Sequence, residues 1–229
     1  MFIKVCGTTN ESDALLAVAL GADAVGFIFA PSPRQIAPVV AADIVRRLPP
    51  EVMTVGVFRD ESPIRVCEIV QRVGLGAAQL HGHETMSDTR YVREHVPVVI
   101  KAFAAGDPAL ARSPGYGADL VILDSPRPGS GEVFDWALVD GVPDGTRLVL
   151  AGGLDPSNVA RAVETARPFG VDVATGVEAA PGQKDPAKMR AFIEAARAAG
   201  ERFVPAWDGG ESRDRPDNPD QPYDWADES

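Results

Sequence analysis

Two side chains that could exchange protons with a substrate stand at the ends of apolar runs. Cys6 follows the first run in KVCGTTN, and Asp124 closes DLVILD. A thiol that ionises and a carboxyl group kept from water make a base and an acid, which a reaction moving two protons requires. Each residue also has a plainer reading. Cys6 can be a small buried hydrophobe, and Asp124 can cap the following loop or pair with Arg127. Cys67 fits the plainer reading, since Val66, Ile69 and Val70 surround it in an amphipathic segment. Arg34 lies in APSPRQI, a loop stiffened by Pro31 and Pro33. A planar guanidinium on a stiff loop suits bidentate capture of a carboxylate; a solvated arginine is the alternative. His81, in QLHGHE, either lines a polar site or orients a loop.

Two turns complete the set. Gly152 and Gly153 in AGGLDPSNV let the backbone approach a ligand closely, and Thr175 and Gly176 in VDVATGVE precede a short helix expected at Val177. Amides at such turns and helix starts bind phosphate. A small phosphorylated substrate is therefore expected, with ordinary turn chemistry as the alternative.

The elements that must position these groups alternate along the chain. Continuous apolar runs at 2–5, 24–29, 52–58, 76–80, 98–103, 120–123, 148–151 and 171–174 read as strands buried on both faces. Segments at 11–20, 37–48, 63–73, 84–94, 108–112, 134–139, 156–165 and 186–199 follow them and read as helices. Eight strand–helix units predict an α/β fold, a single-domain (β/α)8 barrel over 1–200. A doubly wound sheet is the weaker alternative, because CGTTN and not GxGxxG follows the first run. Barrels of this kind carry their reactive groups at the carboxyl ends of strands and bind phosphate after strands 7 and 8. That rule selects Cys6, Arg34, His81, Asp124 and both glycine turns.

Composition narrows the class further. The chain is 45% hydrophobic and 24% charged, as soluble globular proteins are, and at this length it can bury roughly 70% of its unfolded surface. No run approaches ~18 apolar residues, and no basic stretch followed by a long apolar one opens the chain, so neither a membrane span nor a secretory signal is expected. A cytoplasmic location follows. Two cysteines make no disulfide framework, and no metal-ligand spacing occurs. The formal charge of −11 argues against nucleic acid or an anionic membrane as partner. Nine acidic residues and three arginines lie in 201–229, a stretch rich in Pro, Asp and Gly. Such composition does not offset its ordering entropy, so a flexible acidic tail is expected that adds nothing to the fold or the site, unless Trp207 and Trp225 dock it on the barrel.

With those residues in place, the chain resembles the phosphoribosylanthranilate isomerase family of tryptophan biosynthesis. KVCGTTN, GADAVGFIFAPSPRQI, VGVF, AQLHGHE, LDSPRPGSGEVFDW, LAGGLDPSNVARA and FGVDVATGVEAAPGQKDPAKMRAFI carry the resemblance over about 1–199, in the family's order. It implies an Amadori rearrangement of N-(5-phosphoribosyl)anthranilate to 1-(2-carboxyphenylamino)-1-deoxyribulose 5-phosphate, with no cofactor and no metal, in a monomer or homodimer. Cys6 would be the general base at ribose C2 and Asp124 the general acid at the ring oxygen. Arg34 would hold the anthranilate carboxylate, and the backbones of Gly152, Gly153, Thr175 and Gly176 the phosphate. His81 and Asp172 fall in matched motifs as substrate-binding residues. The thiol is then expected below its free pKa of ~8.5, assisted by turn amides or a nearby cation, and Asp124 is expected to be partly desolvated.

The chain departs from the family's pattern at three places. Thr8 stands where the family usually has a hydrophobic residue, RPGSG at 127–131 where it commonly has GG(T/S)G, and Ala174 where serine is common. Histidine-pathway relatives use an aspartate where Cys6 stands, and a barrel kept only for binding would be expected to have lost Cys6, Asp124 or Arg34. All three are present.

Overall fold

The computed structural model describes residues 1–126 and 136–202. Its centre is a closed barrel of eight parallel strands in sequence order: β1 (Phe2–Val5), β2 (Ala24–Ile28), β3 (Met53–Phe58), β4 (Ala77–Leu80), β5 (Val98–Ala104), β6 (Leu120–Asp124), β7 (Leu148–Leu150) and β8 (Gly170–Val173). Pairing of β1 with β8, from Phe2↔Gly170 to Val5↔Val173, closes the ring. Of the tail expected at 201–229, Glu201 instead ends the last helix and Arg202 caps it, its Nη1 donating to Glu164 Oε1; residues 203–229 lie outside the described residues, as do the RPGSG variation and Arg127.

Alternation along the strands divides the apolar residues into two layers. Ala24, Val55, Ala77, Ile100, Ala102, Leu120, Ile122, Val149 and Ala151 fill the barrel interior. Ile3, Val5, Val25, Phe27 and Val171 face outward and pack under the helices with Val66, Val70, Phe192 and Ile193. Continuous apolar runs arise because both faces of every strand are covered.

Helices α1 (Glu11–Ala19), α2 (Pro38–Val45), α3 (Pro63–Val73), α4 (Met86–His95), α5 (Val159–Ala166) and α6 (Pro186–Glu201) cover the outside. Their starts follow from local chemistry. Asn10 accepts a bond from the Asp13 amide, Thr85 and Asp88 cap each other reciprocally, and Asp185 accepts from the Ala187 and Lys188 amides. The helix expected from 156 begins later, at Val159, because Asp155 Oδ1 gathers the Ser157 and Asn158 amides into a turn. The helical stretches expected after β5 and β6 are 3₁₀ helices, Pro108–Tyr116 and Trp136–Gly141. In the first, Pro114 lies inside the segment and lacks the amide an α-helix would use there, and Gly117 terminates it at φ 72°. A hairpin, β9 (Glu178–Ala180) and β10 (Gln183–Lys184), follows β8 and was not anticipated from sequence.

Thr8 is fully buried, and its hydroxyl has no partner among the described residues. A buried hydroxyl without a partner costs about 1–3 kcal/mol. Thr8→Val keeps the shape and removes the orphan, so the variant gains about 1 kcal/mol in urea unfolding. A lower unfolding midpoint would mean that the hydroxyl is satisfied.

Candidate active site

The residues singled out at the strand ends converge on the carboxyl-terminal mouth. Cys6 follows β1, its amide donating to the Val173 carbonyl at 2.8 Å and so tying the thiol to the end of β8. Gly26 on β2 lies against it. A Cβ there would stand 2.8 Å from Cys6 Sγ, so only glycine leaves the thiol in place. Burial pushes the Cys6 thiol above its ordinary range; Lys4 opposes this, Asp172 reinforces it, and Lys184 opposes it again. The thiol was expected below its free value, and the structure has it above. The reason is that two nearby ammonium groups do not outweigh complete removal from water.

Asp124 ends β6 and is buried, as expected of a desolvated acid. Its Oδ1 accepts a bond from the Ser125 amide at 2.7 Å. Its Oδ2 lies 3.2 Å from His81 Nε2, a contact not aligned as a hydrogen bond. The Gln79 amide nitrogen lies 2.8 Å from His81 Nδ1. The Nε2 edge of the imidazole is thereby turned toward the Asp124 carboxyl group. The loop bearing His81 is held by a buried pair, Glu84 Oε2 to Lys101 Nζ at 2.9 Å. Glu84 also accepts from the amides of Gly82 and Asp60. His81 therefore does both things its sequence left open: it lines the mouth on a loop already fixed.

Arg34 reaches the mouth from the β2–α2 loop, packed so closely over Gly7 (φ 72°) that a Cβ there would stand 2.7 Å from Arg34 Cδ. Its fork is bidentate: Nε to Glu178 Oε1 and Nη2 to Glu178 Oε2, both 2.8 Å, with Nη2 also 3.3 Å from Thr175 Oγ1. Arg34 is therefore not a solvated arginine. Lys184 Nζ joins the same carboxylate at 3.1 Å and bonds the carbonyls of Cys6 at 2.7 Å and Ala174 at 3.1 Å. Burial would raise the Glu178 carboxyl, but Arg34 and Lys184 overcome it and hold the group below its ordinary range.

Gly152, Gly153, Thr175 and Gly176 line one cleft of about 380 Å³ with Asp124 and Asp172, open to solvent. Gly152 and Gly153 both take positive φ, 80° and 62°. A Cβ on Gly152 would lie 2.5 Å from the Ser125 amide nitrogen, and one on Gly176 would lie 1.9 Å from the Leu154 carbonyl oxygen. Asn158 braces the first turn by donating to the Gly153 carbonyl at 2.9 Å. Among the described residues, no group of three or more His, Cys, Asp or Glu side chains is placed to hold a metal ion, and no helix is long and apolar enough to cross a membrane.

Four participants escaped the sequence reading: Lys4, Gln79, Glu178 and Lys184. Lys4 had a signal, a charged residue inside an apolar strand and two positions from Cys6. Glu178 had the matched GVE motif but no assigned role. Gln79 shares strand parity with His81. Lys184 had none, because its contacts depend on the unanticipated hairpin.

The chain is similar to known proteins along most of its length. The family model for N-(5'-phosphoribosyl)anthranilate (PRA) isomerase matches residues 3–195. A curated N-(5'-phosphoribosyl)anthranilate isomerase of Desulforudis audaxviator is 49% identical over 204 residues, covering 86% of this chain and 98% of that one. The crystal structure of phosphoribosyl anthranilate isomerase from Thermus thermophilus superposes with a TM-score of 0.82 at 43% identity, over 86% of this chain and 99% of that one. A further one, solved in complex with reduced 1-(o-carboxyphenylamino)-1-deoxyribulose 5-phosphate, is 41% identical with a TM-score of 0.77, over 86% and 99% of the two chains. A closed parallel barrel, a thiol and a carboxyl group at its mouth, and a match running nearly end to end along the barrel together place this chain in the N-(5'-phosphoribosyl)anthranilate isomerase family.

Proposed function

We propose that the chain catalyses the Amadori rearrangement of N-(5-phosphoribosyl)anthranilate in tryptophan biosynthesis, with Cys6 and Asp124 as its base and acid. The ring oxygen takes a proton from Asp124 and the furanose opens to a protonated Schiff base. The Cys6 thiolate then removes the proton from ribose C2, leaving an enolamine that tautomerises to the ketose. Arg34 receives the anthranilate carboxylate, and the backbones of Gly152, Gly153, Thr175 and Gly176 receive the phosphate. His81, whose Nε2 faces Asp124, and Asp172 contact the opened sugar. No cofactor or metal is called for by these steps. The enzyme works in the cytoplasm as a monomer or homodimer, without nucleic acid or membrane.

The observation that carries this reading is the Asp124 carboxyl group on the wall of the glycine-floored cleft. A phosphosugar held in that cleft lies within reach of Asp124, which lines it. Freshly prepared phosphoribosylanthranilate, mixed with the protein, should lose its fluorescence at a rate proportional to enzyme concentration. No loss above the uncatalysed rate would remove the reading.

Capture by Arg34 has its own test. Glu178 uses Nε and Nη2, so the guanidinium is already oriented when a carboxylate meets its remaining edge. Arg34→Ala should chiefly raise KM, and Arg34→Lys should rescue poorly, because an ammonium cannot hold Glu178 and substrate as one planar fork. An unchanged kcat/KM in the alanine variant would limit Arg34 to pairing with Glu178.

A further inference from the structure

Lys4 precedes Cys6 by two residues, so alternation turns both side chains into the barrel. The Lys4 side chain has no exposure to solvent. An ammonium without water needs a fixed counter-charge. Asp172 supplies it, Oδ1 to Nζ at 2.9 Å, from the strand position paired with Lys4 across the closure of the barrel. Gly26 shows how near the ammonium stem lies to the thiol: the Cβ it lacks would stand 3.3 Å from Lys4 Cε and 2.8 Å from Cys6 Sγ. Below it, Ala24, Val55 and Ile100 belong to the apolar cluster that fills the interior. An apolar residue in place of a buried ion pair is often neutral or stabilising. A charge here is therefore not required by the fold.

We propose that Lys4 is a positioning residue for the reaction: its ammonium, aimed by Asp172, stabilises the Cys6 thiolate, and Asp172 moderates that stabilisation. The proton of Lys4 stays on Lys4 throughout, while Cys6 alone takes the substrate's proton. The proposal rests on Cys6 being the base. Charged groups from other elements also face the thiol. Lys184 of β10 bonds the Cys6 carbonyl, Arg34 enters from the β2–α2 loop, and Glu178 of β9 pairs with both. Asp124 and His81 stand at the ends of β6 and β4. Lys184 and Arg34 share the Glu178 carboxylate, whereas Lys4 bonds Asp172, whose charge acts on the thiol in the opposite sense. Although burial works against it, Lys4 keeps its proton, because Asp172 and the Cys6 thiolate together hold its pKa above the ordinary lysine value.

Opposite signs give the test. In a Cys67→Ser background, the ultraviolet absorbance of the Cys6 thiolate is titrated against pH, with the matching Cys6→Ser chain subtracted. The acid limb of kcat/KM is followed in parallel. Asp172→Asn should lower the midpoint, since a negative neighbour of the thiolate is lost. Lys4→Met should raise it by about 1 pH unit or more, the size expected of a charge at this range. If Lys4→Met strands Asp172 and fails to fold, Lys4→Met/Asp172→Asn provides the comparison, with a midpoint about 1 unit above Asp172→Asn alone. Midpoints that stay put, or that move the same way in both single variants, would overturn the role of Lys4 and leave Cys6 as base. Full turnover by Cys6→Ser would instead remove the base itself, whatever the titration shows.

Discussion

Cys6→Ser lowers kcat by about 10²–10⁴-fold, the usual contribution of one positioned proton-transfer group. Serine keeps the shape beside Gly26 but is a far weaker acid than the thiol, so its alkoxide is not formed in useful amount. Asp124→Asn retains the size of the side chain and removes the proton source, with a comparable loss. Both variants should remain folded and still bind a product analogue, because the glycine turns and Arg34 are untouched. Wild-type kcat/KM should be bell-shaped in pH, its limbs belonging to the coupled site as a whole. Burial raises the Cys6 thiol, which places the thiolate-dependent limb higher than a free cysteine would. Cys67→Ser is the control, as Cys67 packs in α3 with Val66 and Val70, away from the mouth. Near-normal turnover by Cys6→Ser with loss in Cys67→Ser would reverse the assignment. Full activity in both would end the mechanism.

Glu178→Gln is expected to cost about 3–5 kcal/mol of stability, since it leaves the Arg34 and Lys184 cations together without their shared carboxylate. It should also raise KM, because Arg34 loses its orienting partner. The effect depends on pH in a defined sense. Glu178 is held below the ordinary carboxyl range, so its contribution is fully present above the unfolded value of ~4.3 and is lost as pH falls through the lower folded value. Urea unfolding of wild type and variant should therefore differ most near neutral pH and converge in acid. A difference below ~0.5 kcal/mol at neutral pH, ordinary for a surface substitution, would show that the two cations find other partners.

Much of this was legible from sequence, for a reason visible in particular residues. VGVF and the LVIL of DLVILD carry no polar side chain because barrel strands are covered by the interior on one face and by helices on the other. That continuity, repeated with intervening helices, identifies a parallel barrel, and the barrel says where its reactive ends lie. Cys6, Asp124, His81 and the glycine turns follow from that rule, and all of them are at the mouth. The 3₁₀ segments after β5 and β6 were less legible, since apolar spacing over one or two turns does not separate them from α-helices.

What sequence alone determined is the set of groups and the end of the barrel that carries them. Their partners and protonation were decided only by closure of the fold. Lys4 meets Asp172 across 168 residues of chain, and Arg34 meets Glu178 across 144. No local pattern records either encounter. Cys6 was expected to be acidified by its surroundings and is instead raised, because a pKa sums burial and every nearby charge in three dimensions. A motif names the thiol and the lysine two residues before it, but the water removed from the thiol and the Asp172 carboxylate that aims the ammonium are set only once β1 and β8 are joined.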